Sequence, residues 1–262
     1  MLGSGSLDPQ TSNKNNRIIP KTFSKAERVP MKIQREFSEN AKAYDQVNVI
    51  QRKVIDRMLS LVNDTPATIL DIGCGSGTLY RMATWDITSY TGVDFAKGML
   101  ERHPKGEGVT LLEADFNDPQ TFAQLGKERF DRIFSASALQ WAKDLNGTLE
   151  RIAALEAPVS LAIFTSNTFK TLYRTAGLPP LLRSREEVTA LLQKHFPDAQ
   201  TELLHYTLAF PDVRAMFRYM KKSGVGAGRN LLGYKEMRAL MRDYPLDHLE
   251  YEIILLHEKK RR

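Results

Sequence analysis

The sequence predicts an α/β fold, an open and mostly parallel sheet with helices on both faces. Short apolar or β-branched runs recur between residues 67 and 166, at Thr68–Ile72, Ser89–Val93, Val109–Glu113, Phe130–Ser135 and Val159–Thr165. The stretches between them are long enough for crossover helices, which parallel neighbours require. The first run, Ile69-Leu70-Asp71-Ile72, breaks into Gly73-Cys74-Gly75-Ser76-Gly77, a turn that leads into a helix. A sheet of this kind places its ligand at the carboxyl ends of the strands. There the glycine turn, Asp94, Asp115 and Ser135 would converge.

The turn needs its glycines for two reasons. Glycine takes positive φ without strain, and it lets backbone approach a ligand with no Cβ in the way. The helical amides that follow are free donors at a positive dipole end, suited to the carboxylate of an amino-acid moiety. A dinucleotide pocket would show G-x-G-x-x-G to seat a pyrophosphate. This chain has G-x-G-x-G with Asp71 ahead of it, and an acidic residue there would repel phosphate and hold an ammonium group. Asp94 closes the second run, where its carboxylate would accept ribose hydroxyls. Asp115 closes the third, where it would accept the exocyclic amine of adenine. Both also suit plain helix N-caps. Together the set fits a nucleoside joined to a small zwitterion, and the cofactor expected is S-adenosyl-L-methionine.

The chain has 262 residues, enough for one α/β domain with additions. Its one cysteine, Cys74, allows no intrachain disulfide and suits a reducing, cytoplasmic setting. Cys74 reads as a small residue packed near the cofactor, since no histidine lies nearby in sequence to activate it. No apolar run is long enough to span a membrane. A net charge of +6 and a pI near 9.3 make an acidic partner plausible, although solubility alone could account for them.

Residues 1–30 are rich in Ser, Asn, Lys and Pro and are expected to be disordered. They lack the apolar core of a signal peptide. Residues 31–64 form a helical segment expected over the active site, with Phe37, Ala41, Tyr44, Val47, Val54, Met58 and Leu61 at three- and four-residue steps. Residues 65–262 form the main domain, with helical cap insertions expected near 168–184 and 211–232. Beyond residue 167 the patterns predict a helix at Arg185–His195, a strand at Thr201–Phe210, and a basic helix at Asp212–Ser223. A flexible turn at Gly224–Gly228, a helix at Tyr234–Asp243 and a closing strand at Leu249–His257 follow.

The turn Asp71–Gly77, Asp94, Asp115 and the order of the runs resemble class I SAM-dependent methyltransferases. That resemblance covers residues 65–166 and the two last strands. It implies a Rossmann-like, seven-stranded sheet whose last strand runs antiparallel between its neighbours. A narrower resemblance is to the O-methyltransferases of biotin synthesis that act on malonyl-acyl carrier protein. It is carried by Phe37, Ala41, Tyr44 and Gln51, by Phe130-Asp131 through Ser135 to Gln140-Trp141, by Leu208–Asp212 through Lys221 to Gly224, and by Leu249–Glu252. The residue after Ser135 is Ala136, where that family commonly has Asn. The resemblance implies cofactor contacts from Gln51, Asp71, Gly73, Cys74, Gly75, Gly77, Asp94, Phe95, Met99, Asp115, Phe116 and Ser135.

It also implies methyl transfer to the free carboxylate of a malonyl thioester, with acyl carrier protein as partner. Such a carboxylate is ionised at neutral pH, since carboxyl groups titrate near ~4. The protein must therefore supply alignment and exclusion of water, with no strong base. The sequence accordingly offers no histidine dyad and no metal-ligand spacing. Tyr44, Gln140, Trp141 and Lys221 are the expected catalytic residues, and Arg174 and Arg183 are further candidates to pair the carboxylate. Tyr44 and Trp141 also suit core packing, and Lys221 a solvated face. The basic helix would steer an acidic carrier protein. Competing readings are a methyltransferase on another small carboxylic acid, a nucleic-acid methyltransferase, and a non-catalytic regulator or dinucleotide binder. Ser135-Ala136-Ser137-Ala138-Leu139 stands where base-amine methyltransferases carry Asn/Asp-Pro-Pro-aromatic, which argues against nucleic acid.

Overall fold

The structure, a computed structural model, describes residues 48–222 and 233–259. Tyr44, the expected turn at Gly224–Gly228 and most of the helical segment 31–64 lie outside those residues. The chain runs α1 (Val49–Ser60), β1 (Thr68–Ile72), α2 (Thr78–Met82), β2 (Ser89–Asp94), α3 (Lys97–Leu100), β3 (Val109–Glu113), α4 (Pro119–Leu125) and β4 (Arg132–Ala136). A 3-10 turn (Leu139–Trp141) leads to α5 (Leu145–Ala153), β5 (Val159–Phe164), α6 (Lys170–Thr175), α7 (Arg185–His195), β6 (Gln200–Ala209), α8 (Val213–Lys222), α9 (Tyr234–Asp243) and β7 (His248–His257).

The seven strands form one sheet in the order β3-β2-β1-β4-β5-β7-β6. The first five are parallel, and β7 enters antiparallel between β5 and β6. This is the expected class I sheet. The strand order reverses between β1 and β4, so the crevice for a ligand opens at their carboxyl ends.

Alternation along each strand divides the core into two layers. One face carries Ile69, Phe134, Phe164 and Tyr251 against α1, α6, α8 and α9. The other carries Leu70, Ile72, Ile133, Leu161 and Ile163 against α4, α5 and α7. Helix starts follow local chemistry. Asp118 caps α4 with Pro119 at the first position, and Asp144 accepts from Gly147 N–H to cap α5. Ser184 accepts from Glu187 N–H to start α7, in the Ser-x-x-Glu pattern.

At the amino ends of the strands lies a group the sequence does not announce. Arg132 is 1% exposed and its guanidinium pairs with Asp64 at 3.0 Å. The same side chain donates to the Glu258 carbonyl (2.8 Å) and to Ser160 Oγ (3.3 Å). Asp131, beside it, accepts from the backbone N–H groups of Ala67 and Thr68 and so pins the start of β1.

Candidate active site

The glycine turn closes against the end of β2. Gly73 N–H donates to the Val93 carbonyl at 2.7 Å and Cys74 N–H to the same oxygen at 3.1 Å. Gly73, Gly75 and Gly77 all take positive φ, at 76°, 55° and 83°. A Cβ on Gly73 would stand 2.2 Å from Ala138 Cβ, so this glycine is also fixed by the approach of the post-β4 turn. A Cβ on Gly75 would meet nothing within 4 Å, because Gly75 faces open space.

That open space is a cleft lined by Gly73, Gly75, Asp94, Phe95, Met99 and Phe116 and by Ala136, Ser137, Ala138 and Trp141. Asp94 is 8% exposed on its wall. Its Oδ2 accepts from Gly75 N–H (3.0 Å) and its Oδ1 from Ala96 N–H (2.8 Å). Each carboxylate oxygen has two lone pairs, so acceptor capacity toward the cleft remains. Burial pushes its pKa up to about 6, against the pull of the Ala96, Gly75 and Phe95 amides.

Asp71 lies behind the turn. It is 2% exposed and accepts the Tyr90 hydroxyl at 2.7 Å, and His103 Nε2 stands 3.2 Å from that hydroxyl. Burial raises Asp71 to about 7, with the Tyr90 hydrogen bond opposing the rise. Both carboxyls are thus raised above their unfolded values. Their contribution to folding stability is fully present below about pH 4 and is lost as pH rises through 6 and 7.

A second cleft adjoins the first and shares Ser137 and Trp141 with it. Its walls are apolar, from Phe164, Phe169, Tyr173, Leu181, Leu182 and Tyr251, with Thr168, Gln51 and Gln140 among them. Gln140 Nε2 donates to the Ser137 carbonyl at 2.6 Å, which fixes the amide with Oε1 turned elsewhere. Gln51 Oε1, Ser137 Oγ and Gln140 Oε1 are buried with no hydrogen-bond partner among the described residues. Such orphaned groups cost free energy unless a ligand satisfies them. Ser137 also holds φ at 67°, a strained value for a non-glycine residue and one that clusters at functional sites.

A family profile described as a methyltransferase domain matches residues 70–159. A malonyl-[acyl-carrier protein] O-methyltransferase from Geobacter sulfurreducens is 31% identical over 245 residues, covering 81% of this chain and 90% of the relative. The chain belongs to that family. It is a methyltransferase, and S-adenosyl-L-methionine is its cofactor. A relative of the same name from Serratia marcescens is 27% identical and covers 83% of this chain and 92% of its own. Among solved structures, the Bacillus subtilis YcgJ protein shares the fold with a TM-score of 0.54 at 16% identity, over 80% of this chain and 99% of that one.

The residues of this methyltransferase fit such a cofactor at the first cleft, where Gly75 leaves room for a ligand and a buried carboxylate stands on the wall. Of the residues expected there, Gly73, Gly75, Asp94, Phe95, Met99 and Phe116 line it. Gln51 lines the second cleft with Gln140, and Trp141 lines both. Asp71, Cys74, Gly77, Asp115 and Ser135 line neither. Ser135 is fully buried and its hydroxyl donates to the Ile72 carbonyl at 2.8 Å, tying β4 to β1. Asp115 Oδ1 accepts from both the backbone and side-chain nitrogens of Asn117. Cys74 is buried and its thiol is pushed up by burial, which leaves no thiolate for chemistry. Lys221 is the next-to-last residue of α8, and its side chain lies outside the described residues.

Sequence reasoning missed Ser137 and Tyr251. The signal for Ser137 is its place, two residues past Ser135, where alternation ends and the chain leaves the strand. Tyr251 shares a strand face with Leu249 and Ile253, and its place on the wall of the second cleft emerges only when β7 inserts beside β5. Arg183 is already engaged. Its guanidinium donates to the Ala142 and Lys143 carbonyls and pairs with Glu187, so it braces the loop before α7. Arg174 is exposed on α6, one residue from the cleft wall at Tyr173. No helix among the described residues is long and apolar enough to cross a membrane, and no group of three or more His, Cys, Asp or Glu among them could hold a metal.

Proposed function

We propose that this enzyme methylates the free carboxylate of a malonyl thioester held on acyl carrier protein, an early step of biotin (pimeloyl) synthesis that runs in the cytoplasm. The observation that carries the reading is the pair of clefts that meet at Ser137 and Trp141, one at the glycine turn and one apolar with orphaned polar atoms. When bound, the cofactor supplies an electrophilic methyl group. Asp94 holds the ribose hydroxyls, with Gly73, Gly75, Phe95, Met99 and Phe116 shaping the remaining contact. Trp141, Phe164 and Tyr251 keep water from the carboxylate oxygen, which raises its reactivity. Ser137 Oγ and the Gln51 amide orient the acyl end. Gln140 presents Oε1 to an N–H of the acceptor's tethered arm. Tyr44 donates to the carboxylate and Lys221 balances its charge, as a dry pocket demands.

Substitution of Gln140 by Leu keeps the volume and removes both the acceptor oxygen and the Nε2 donor to the Ser137 carbonyl. We expect kcat/KM for the malonyl carrier substrate to fall about tenfold, the worth of one hydrogen bond of ~1.4 kcal/mol. The Kd for S-adenosylmethionine should stay unchanged, and parallel losses in both would place Gln140 on the cofactor.

Asp94 provides a pH signature. Its pKa of about 6 lies above the unfolded value, so a protonated fraction persists between about pH 4 and 6. Ribose hydroxyls donate to the ionised form, so cofactor affinity should climb from pH 5 to pH 7 by up to about tenfold and then level off. Titration calorimetry at several pH values reads this directly, and a flat profile would remove Asp94 from the ribose.

The acceptor class is tested by offering methyl-labelled cofactor with malonyl-carrier protein, malonyl-pantetheine, free malonate and bulk RNA in parallel. The reading predicts the fastest labelling on the carrier substrate and none on RNA. Labelling confined to free malonate or to RNA would overturn it.

A further inference from the structure

The positive charge of this chain is concentrated. Helices α6, α8 and α9 together hold nine Lys and Arg residues against two Asp and Glu, a net +7, whereas the whole chain is +6. The rest of the chain sums to −1, with Lys259–Arg262 a separate basic run at the carboxyl end. General solubility needs no such segregation, since mixed surface charge serves it.

The three helices sit together on one side of the acceptor cleft. Helix α9 contacts both α6 and α8, and α6 contacts β7. Tyr173 of α6 and Phe169 at its amino cap line the cleft, and Tyr251 of β7 lines it from beneath. Met216, Phe217 and Met220 of α8 are buried in the same layer as Phe169 and Tyr251. The apolar face of α8 is thus committed to the core, and Arg214 and Arg218 are left outward. Lys170, Arg174, Arg214, Arg218, Lys235 and Arg238 are all exposed. Among these helices Arg242 is the cation paired with a carboxylate of its own helix, Asp243.

From this placement we infer that α6, α8 and α9 form the docking face for the carrier protein, receiving an acidic surface around the tethered acyl arm. This rests on the acceptor proposed above and names the part of the enzyme that selects the carrier. A surface of this sign beside the cleft draws an acidic partner in by long-range attraction and holds its arm over the opening. The contribution falls with salt, because exposed charges are screened over about 10 Å at 0.1 M ionic strength.

The test is the double charge reversal Arg214→Glu with Arg218→Glu, compared with Lys105→Glu with Lys127→Glu, whose lysines are exposed outside these helices. Each is assayed on malonyl-carrier protein and on malonyl-pantetheine, which presents the same thioester and arm without the protein. Circular dichroism and melting confirm that each variant folds. The inference predicts that reversal on α8 lowers kcat/KM for the carrier substrate about tenfold or more at low salt, with the gap to wild type shrinking as salt rises. Malonyl-pantetheine should be used as by wild type, and the control reversal should leave both substrates unaffected. Equal loss on both substrates, or no loss on either, would overturn the docking face while the reaction stands. Failure of the wild-type enzyme on both malonyl substrates would instead sink the reaction assignment and the partner with it.

Discussion

Substitution of Gly73 by Ala will raise the Kd for S-adenosylmethionine at least about 100-fold. Two costs combine. The residue holds φ at 76°, where an L side chain is strained by roughly 1–2 kcal/mol. Its new Cβ would also stand 2.2 Å from Ala138 Cβ, far inside contact distance, so backbone must move. That movement cannot stay local. Gly73 N–H holds the Val93 carbonyl, and two residues on Gly75 N–H holds Asp94. Displacing the turn from Ala138 shifts both walls of the cofactor cleft, and each tenfold in affinity corresponds to only ~1.4 kcal/mol. Gly75→Ala is the informative partner. Its Cβ meets no protein atom, so the fold should persist with a small loss of melting temperature. Calorimetry on both variants, with melting curves, separates the effects. Tight cofactor binding by a folded Gly73→Ala would show that the turn does not shape the site.

Arg132→Leu will cost about 3–5 kcal/mol of folding stability while leaving the cleft intact. Removing one partner of a buried pair strands the other charge, and that is the expensive direction. Asp64 would lose its guanidinium, and the Glu258 carbonyl and Ser160 hydroxyl would each lose a donor. For a chain of this size the loss corresponds to a melting temperature lower by roughly 10 °C. Arg132 also bears on His257, whose Nδ1 stands 2.9 Å from Ser160 Oγ and whose pKa is held down at about 4 by burial and then by that cation. A depressed histidine takes up its proton in the unfolded chain first, so its contribution is present above about pH 6.5 and is lost as pH falls toward 4. The variant should therefore show a shallower decline in stability over that range. Wild-type stability in Arg132→Leu, by chemical denaturation, would contradict the structural role assigned to the pair.

The fold was legible because strand and helix periods differ and because Gly73–Gly77 can serve few other purposes. Each parallel strand was foreseen within about two residues, the usual uncertainty at element ends. The placement of β7 between β5 and β6 came from resemblance to a family, since nothing in Leu249–Glu252 specifies its neighbours. The lining of the first cleft was legible where a strand's last residue ends at the crevice, as with Asp94, and at Phe95, Met99 and Phe116 beyond it. It was less legible where a polar side chain turns inward to serve the sheet. Ser135 and Asp71 each hold an internal hydrogen bond as well, Ser135 to the Ile72 carbonyl and Asp71 from the Tyr90 hydroxyl, which residue type alone does not foretell. Period alone does not say which face of a fully buried strand meets the ligand. Arg132 was not foreseen because its partner Asp64 lies 68 residues away in a loop.

The central claim is that a methyl ester forms on the malonyl carboxylate. The direct measurement is the intact mass of malonyl-carrier protein after incubation with enzyme and methyl-labelled cofactor, followed by mild base. The account predicts one added methyl per carrier, released as labelled methanol by base, and none on acetyl-carrier protein, which lacks the free carboxylate. A carrier mass that does not change while the enzyme binds cofactor, or a methyl that survives base, would contradict it.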